Sequence, residues 1–436
     1  MIQVVYTILY SLGFVLLSPG FVYTMLKRGK YRENFFQRFG RYTPALRQQL
    51  DGKTAPRVWI QAVSVGEMNL ALLLVAALRQ RFPTHQLIVT TTTTTGYAFG
   101  RERLSADVVL LYFPQDFPGS VRRAYTLIQP DFIILMESEV WPNHIWEGAR
   151  RGVPIFLVNA RMSPRTARRH HNGQWLFRHV FDKITLVCAQ SQEDADSFRR
   201  FGAPRAELTG NLKYDASLSH VGTAPVNVRQ VLSELGVAGP RPILVAGSTW
   251  PGEEEILFAA LTELRHKVPD LFLVIVPRHV ERTPEIVELA KRQNIKLALR
   301  KDGAPVANPD CLLVNTTGEL KWFYHLATVI FVGKSLVGEG GQNIVEAAAS
   351  GHPVVFGPNM QNFKAIAAEF VAAGAGVQVP DRVEFVHAVR DLLHDEQLRA
   401  KIAGAAQVVI KRNVGATERT VELIAATGSG LGKLPA

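Results

Sequence analysis

Short β-rich apolar runs recur along the chain with helical stretches between them, at 58–63, 87–91, 108–113, 132–136, 155–158 and 184–188. A second series follows at 243–246, 271–276, 312–314, 329–332, 354–356 and 377–379. This spacing predicts βα units on parallel sheets, and the two series predict an α/β chain of two doubly wound domains. At 436 residues the chain exceeds one ordinary core, which agrees. Between the series, 217–227 carries Gly222, Thr223, Ala224 and Pro225 and reads as a linker. The expected division is therefore 31–216, the linker, 228–410, and a C-terminal helix and tail over 411–436.

Residues 2–26 are almost wholly apolar or small and uncharged, and Lys27, Arg28, Lys30, Arg32, Arg38 and Arg41 crowd their flank. A hydrocarbon core needs about twenty apolar residues, so 1–30 is expected to be a membrane anchor that spans or lies in one leaflet. A buried helix is the alternative. Pro19 and Gly20 are expected to kink it. The basic residues follow the apolar stretch and no small-residue cleavage site does, unlike a signal peptide. Basic flanks stay cytoplasmic, which places the body on the cytoplasmic face of the cytoplasmic membrane. The net charge of +11 favours anionic partners: phosphorylated lipid, membrane surface, nucleotide or nucleic acid. Nucleic acid fits poorly, because Lys and Arg are dispersed after residue 41 and no zinc-finger or RNA-binding signature occurs. Cys188 and Cys311 read as core residues on strands, suited to a reducing compartment. Neither joins a metal-ligand pattern, and no HExxH occurs, so no protein-bound metal is expected.

Chemistry-bearing residues gather where strands end. Glu67 follows the first strand through Ser64-Val65-Gly66 and opens an apolar helix. Ligands of open α/β sheets bind outside the carboxyl ends of strands, so Glu67 is a candidate general base; an acid there also complements a helix dipole. Glu137 and Glu139 follow another strand, and two-residue spacing points them in opposite directions if the strand continues. Arg161 ends a third strand and suits a substrate carboxylate or phosphate. The five threonines at 91–95 are expected to turn a strand into a ligand-facing loop.

In the second series, Gly247-Ser248-Thr249-Trp250-Pro251-Gly252-Glu253-Glu254-Glu255 opens a helix with hydroxyls and acids. Such a start binds phosphate, here through Ser248 and Thr249, or caps itself. Pro277-Arg278-His279 and Thr317-Gly318-Glu319-Leu320 follow further strands. The run 329–346 reads as strand, glycine-rich loop and helix, with Gly340 and Gly341 expected to let the backbone approach a ligand. Amides near Asn343 would face an anion, and Glu346, one turn on, would accept hydrogen bonds from sugar hydroxyls. Polar strand ends aligned on one sheet edge suggest a nucleotide-sugar site. Gly52-Lys53-Thr54 and Gly333-Lys334-Ser335 lack the earlier glycine of a P-loop, no GxGxxG follows the first strand of either series, and no GxSxG occurs.

Taken in order, Ser64-Val65-Gly66-Glu67, Glu137-Ser138-Glu139-Val140-Trp141-Pro142-Asn143, Asn159-Ala160-Arg161-Met162-Ser163, Gly210-Asn211-Leu212-Lys213-Tyr214-Asp215 and Pro277-Arg278-His279 resemble the 3-deoxy-D-manno-octulosonic acid (Kdo) transferase family. The resemblance extends to the N-terminal anchor, 331–336, 340–346 and Phe356-Gly357-Pro358. It implies a GT-B glycosyltransferase in which two Rossmann-like domains face a cleft, the first taking the lipid acceptor and the second CMP-Kdo. It further implies that Glu67 is the base for an inverting transfer to a lipid A precursor such as lipid IVA, with CMP leaving and no metal required. By the same resemblance, Glu137 and Lys213 stabilise the transition state. Pro277, Arg278, Gly318, Glu319, Leu320, Asn343, Ile344, Val345 and Glu346 then bind CMP.

Gln342 stands where many relatives have histidine, keeping hydrogen bonding without titration near neutrality. A nucleotide-sugar epimerase of the same two-domain fold is the alternative enzyme, though it needs no lipid anchor. A non-catalytic membrane scaffold retaining the fold is a third reading.

Overall fold

The computed structural model describes residues 1–28, 34–162, 173–218, 226–237, 239, 241–303 and 305–428, with side chains left out over 21–28 and at 174 and 428. Lys30, Arg32, most of the expected linker and the last residues of the tail lie outside that set. The chain divides into two units, Met1–Ser219 together with Val414–Ala436, and His220–Asn413.

The first unit holds strands β1 (Arg57–Gln61), β2 (Gln86–Thr91), β3 (Val109–Tyr112), β4 (Phe132–Met136), β5 (Ile155–Ala160), β6 (Leu186–Ala189) and β7 (Ala206–Leu208). They form one parallel sheet in the order β3-β2-β1-β4-β5-β6-β7. β1 shows why these residues make a central strand. Trp59 enters the core on one face while Val58 and Ile60 enter the core on the other, as a period of two requires. The order reverses between β1 and β4. The helix after β1, Val65–Arg81, packs into one core and the helix after β4, Pro142–Arg150, into the other, which leaves a crevice at their carboxyl ends.

The second unit repeats the plan with β8 (Ile243–Thr249), β9 (Phe272–Pro277), β10 (Leu297–Leu299), β11 (Cys311–Leu313), β12 (Val329–Val332), β13 (Val354–Phe356) and β14 (Val377–Gln378). Its sheet is also parallel, in the order β10-β11-β9-β8-β12-β13-β14, with the reversal between β8 and β12. Both cysteines are fully buried and free, Cys188 in β6 and Cys311 in β11.

Helix Ala416–Gly428 belongs to the first unit. Its Val421 and Ile424 join the core around Leu70 and Leu74, and Asp215 accepts the Gly415 and Thr417 amides at 2.7 Å each. The threonine run differs from expectation. Thr91 ends β2 and Thr93 caps the helix Thr94–Arg103, so the segment becomes a helix start rather than an open loop. A chain of small β-branched residues permits this because Thr93 Oγ1 accepts the Gly96 amide, which replaces the ladder bonds of a longer strand.

The N-terminal helix Ile2–Arg28 runs through Pro19, and its stretch Ile2–Gly20 is long and apolar enough to cross a membrane by length and composition. One face nevertheless meets the body. Gln3 Nε2 donates to Asn143 Oδ1 at 3.2 Å, Tyr6 Oη to Asp116 at 2.8 Å and Tyr10 Oη to Gln115 at 2.8 Å, while Phe14 sits edge-on to Phe117. Val4, Ile8, Leu9, Leu12, Val15 and Leu16 on the remaining surface are exposed. The seam centres on Asp116, fully buried, which also accepts the Asn143 and His144 amides at 3.1 Å each and so caps a helix whose own N-cap, Trp141, cannot. Burial pushes the Asp116 carboxyl up to about 7 against the pull of these donors. With the folded value raised, its contribution to stability fades as pH rises through about 7. Asp116→Ala strands three buried donors and is expected to cost about 3 kcal/mol. Thermal melting should fall accordingly, and the N-terminal helix should become cleavable by protease in the folded protein.

Candidate active site

Glu67 is the third residue of helix Val65–Arg81. Ser64 caps that helix by accepting the Glu67 amide at 3.4 Å, and Glu67 Oε2 accepts the Val63 amide at 2.7 Å. Glu67 thus reaches back past the N-cap to the preceding amide, a close relative of the capping box, and as an acid in the first turn it also complements the helix dipole. The carboxyl is nevertheless pushed up to about 8, chiefly by burial, with the charges of Glu139 and Glu137 adding to it and the Val63 amide opposing. A half-buried acid with so high a value at the carboxyl edge of β1 marks a candidate functional position.

Glu137 lies across the β1–β4 reversal. Its φ of 55° is left-handed, a strained state for a residue with a side chain, and its amide donates to Val158 O at 2.8 Å. Its carboxylate stands 3.6 Å from Lys213 Nζ and 3.5 Å from Arg161 Nε. Glu139 accepts Trp141 Nε1 at 2.8 Å, and burial raises it. Burial lowers Lys213, an effect that Glu137 opposes and Arg161 reinforces. The structure thus brings Glu67, Glu137, Lys213 and Arg161 to one crevice.

Asn159 and Gln190 support this cluster and were not singled out from sequence. Asn159 is also left-handed, at φ 54°, and its Oδ1 accepts the Leu212 amide at 3.0 Å. Its backbone carbonyl accepts Gln190 Nε2, Gln190 Oε1 accepts Asn211 Nδ2, and Asn211 Oδ1 accepts the Lys213 amide. A polar residue ending an otherwise apolar strand is the signal that could have pointed to Asn159. Asn159→Ala removes the bond to Leu212 and forces a Cβ-bearing residue without polar compensation into the left-handed region. About 2–3 kcal/mol should be lost in urea unfolding, with Asn159→Gly recovering about 1 kcal/mol.

In the second unit the loops after β8 and β12 are held by a carboxylate of the chain itself. Glu253 accepts the amides of Lys334 at 2.7 Å and of Trp250, Ser335 and Leu336 at 3.0 Å each. Glu253 therefore ties the start of its own helix to the loop after β12. Thr249 is fully buried, its hydroxyl donating to Glu254 at 2.7 Å, and Glu254 pairs with Arg282. Ser248 is left-handed at φ 55°. Gly340 and Gly341 are left-handed and closely packed. Their φ values are 113° and 69°, and a Cβ would meet Asn362 at 2.8 Å and Met360 at 2.6 Å. The close neighbour is the chain's own 359–362 segment.

Glu346, by contrast, is mostly buried and raised by burial, with Lys321 and Arg278 opposing the rise. Arg278 is exposed just after Pro277, its amide donating to Thr249 O at 3.1 Å. Lys321 is a further residue missed from sequence. Asn343 caps the helix Ile344–Ala349 by accepting the Val345 amide at 3.1 Å, while Ile344 and Val345 are wholly buried and have only backbone to offer. Gly318, at φ 85°, has open space around it. Glu319 pairs with Arg300 at 3.0 Å, and Leu320 opens the helix Leu320–Tyr324. Among the described residues no group of three or more His, Cys, Asp or Glu is placed to hold a metal ion.

Two Rossmann-like units, each carrying polar residues at strand carboxyl ends beside a reversal of strand order, define a chain of the GT-B fold class. Solved structures of the same fold include the UDP-GlcNAc 2-epimerase of Neisseria meningitidis, at TM-score 0.59 and 13% identity over 86% of this chain and all (100%) of that one. Another UDP-N-acetylglucosamine 2-epimerase superposes at TM-score 0.58 with 16% identity over 88% and 99%. At such identities they show the fold alone. A family profile described as 3-deoxy-D-manno-octulosonic-acid transferase (kdotransferase) matches residues 33–216. The 3-deoxy-D-manno-octulosonic acid transferase of Haemophilus influenzae is 32% identical over 92% of both chains, and that of Bordetella pertussis 34% identical over 85% of this chain and 87% of its own. The chain belongs to the Kdo transferase family.

Proposed function

We propose that the chain transfers Kdo from CMP-Kdo to a hydroxyl of a phosphorylated, acylated lipid A precursor such as lipid IVA, with Glu67 as general base. The observation that carries this reading is the raised carboxyl of Glu67 facing the charges of Glu137, Glu139 and Lys213. Glu67 takes the proton of the acceptor hydroxyl as its oxygen bonds to the anomeric carbon of Kdo. The bond from that carbon to the CMP phosphate oxygen breaks on the opposite face, inverting the centre. Lys213 and Arg161, partly balanced by Glu137, offset anionic charge in the first unit, and Arg161 suits a substrate carboxylate or phosphate.

In the second unit, Arg278 and Lys321 offset the charge of the CMP phosphate, and Glu346 accepts from sugar hydroxyls. Pro277, Gly318 to Leu320 and Asn343 to Val345 shape the nucleotide pocket around them. No metal is needed in this scheme, since cationic side chains supply the compensation. The apolar N-terminal helix holds the enzyme at the cytoplasmic membrane, with the body on the cytoplasmic face as the basic flank directs.

A carboxylate base works only when ionised. Because the Glu67 value is raised, the active fraction grows as pH climbs through about 8, so kcat/KM should rise between pH 6 and 9 and then level. By the same sign, the stability that protonated Glu67 contributes is lost as pH passes about 8. Glu67→Gln keeps an oxygen for the Val63 amide and removes the base. CMP release from CMP-Kdo with lipid IVA should fall by about 10²–10⁴-fold, and the alkaline rise should disappear. An unchanged rate in this variant would refute the assignment.

A further inference from the structure

The helix Ile2–Arg28 does not close fully on the body. Past Tyr10 it leaves a cavity of ≈ 490 Å³ lined by Tyr10, Gly13, Phe14 and Leu17 from the helix and Phe35 and Phe39 from the single-turn helix Phe35–Phe39. That volume lies within the range of about 300–1,000 Å³ found for single-ligand pockets. Ser18 also borders it, with its hydroxyl donating to Val15 O at 2.8 Å, and the other polar residues there are Arg38 and Gln115.

Those two polar residues tie the cavity to the candidate active site. Gln115 lies just beyond β3 at the carboxyl edge, and its amide donates to Arg38 O at 2.7 Å. The Arg38 guanidinium donates to Thr92 O, after β2. On either side of Thr92, the hydroxyls of Thr91 and Thr93 donate to Val63 O at 3.0 and 3.1 Å, and Val63 is the residue whose amide binds Glu67. Leu17, also in the lining, is 75% exposed and continuous with the bare apolar face of the helix. The cavity therefore joins a lipid-facing surface to the loops that hold the proposed base.

We infer that this cavity takes one acyl chain of the lipid acceptor, admitted from the apolar side and fixing the acceptor's polar head at the carboxyl edge of the first sheet. The inference rests on the lipid-acceptor reading above. A membrane-borne substrate is the occupant that the continuity with the exposed face selects, and the mostly apolar lining, in which Gln115 Oε1 and the Ser18 hydroxyl are already bonded to Tyr10 and Val15, favours an acyl chain over a sugar or nucleotide. The site selects its acceptor partly by the tail, not only by the sugar.

Gly13 offers the test, because it lines the cavity and an added Cβ would meet nothing within 4 Å. Gly13→Trp should lower the ratio of kcat/KM for tetraacylated over fully deacylated disaccharide bisphosphate by about tenfold, chiefly through KM. Gly13→Ala should leave that ratio within about twofold. Direct binding of the same two acceptors to the immobilised full chain, without CMP-Kdo, should show the same loss of preference. That readout stands even if no Kdo is transferred, which separates failure of this inference from failure of the transferase scheme. A preference unchanged by Gly13→Trp would overturn the inference. So would a variant that only weakens partition onto anionic phospholipid vesicles, since the cavity would then hold bulk lipid.

Discussion

Parallel pairing is the constraint from which the candidate site follows. Parallel strands must be joined by crossovers, so every strand of each sheet brings its carboxyl end to one edge. Where the strand order reverses, the helices leaving the two central strands depart on opposite faces and the edge opens. In the first sheet those strands are β1 and β4, and the first acids after them are Glu67 and Glu137. The topology places the two carboxylates side by side although seventy residues of sequence separate them. Lys213 arrives from β7, at the far side of the sheet, through the bonded relay of Asn159, Gln190 and Asn211.

Glutamates at such edges differ in role because their surroundings differ. Glu253 accepts four backbone amides, which is a structural anion holding two loops together. Glu137 stands between two cations. Glu67 has one amide and two acidic neighbours, so burial prevails and its proton is held to about 8. Burial also raises Glu253 despite its four amides, so what sets Glu67 apart is the pair of acidic neighbours at the carboxyl edge of β1.

The two-domain parallel architecture was legible because buried strands are continuous apolar runs, and those runs stand out. β7 and β10 were not, since each has three residues at or next to a sheet edge and lacks a two-sided apolar pattern. Glu67, Glu137 and Arg161 were legible as polar residues closing apolar strands. Asp116 was not, because a lone acid before Phe117-Pro118 gives no sign that it caps a helix begun at Pro142 and receives a tyrosine from residue 6. Gly340 and Gly341 show the opposite failing. The left-handed turn was foreseeable, but the packing of the 359–362 segment against it depends on tertiary structure.

The capping and catalytic readings of Glu67 reinforce one another. A carboxylate offers about four acceptor positions, and the Val63 amide uses one of them. That bond fixes the side-chain rotamer, so the remaining positions point in a set direction before any acceptor arrives. It also lowers the proton affinity that burial raises, holding the value near 8 rather than letting it climb further. A base free of the helix start would be more mobile and, with burial unopposed, harder to ionise. The strand-to-helix turn thus positions the carboxyl that the proposed chemistry requires.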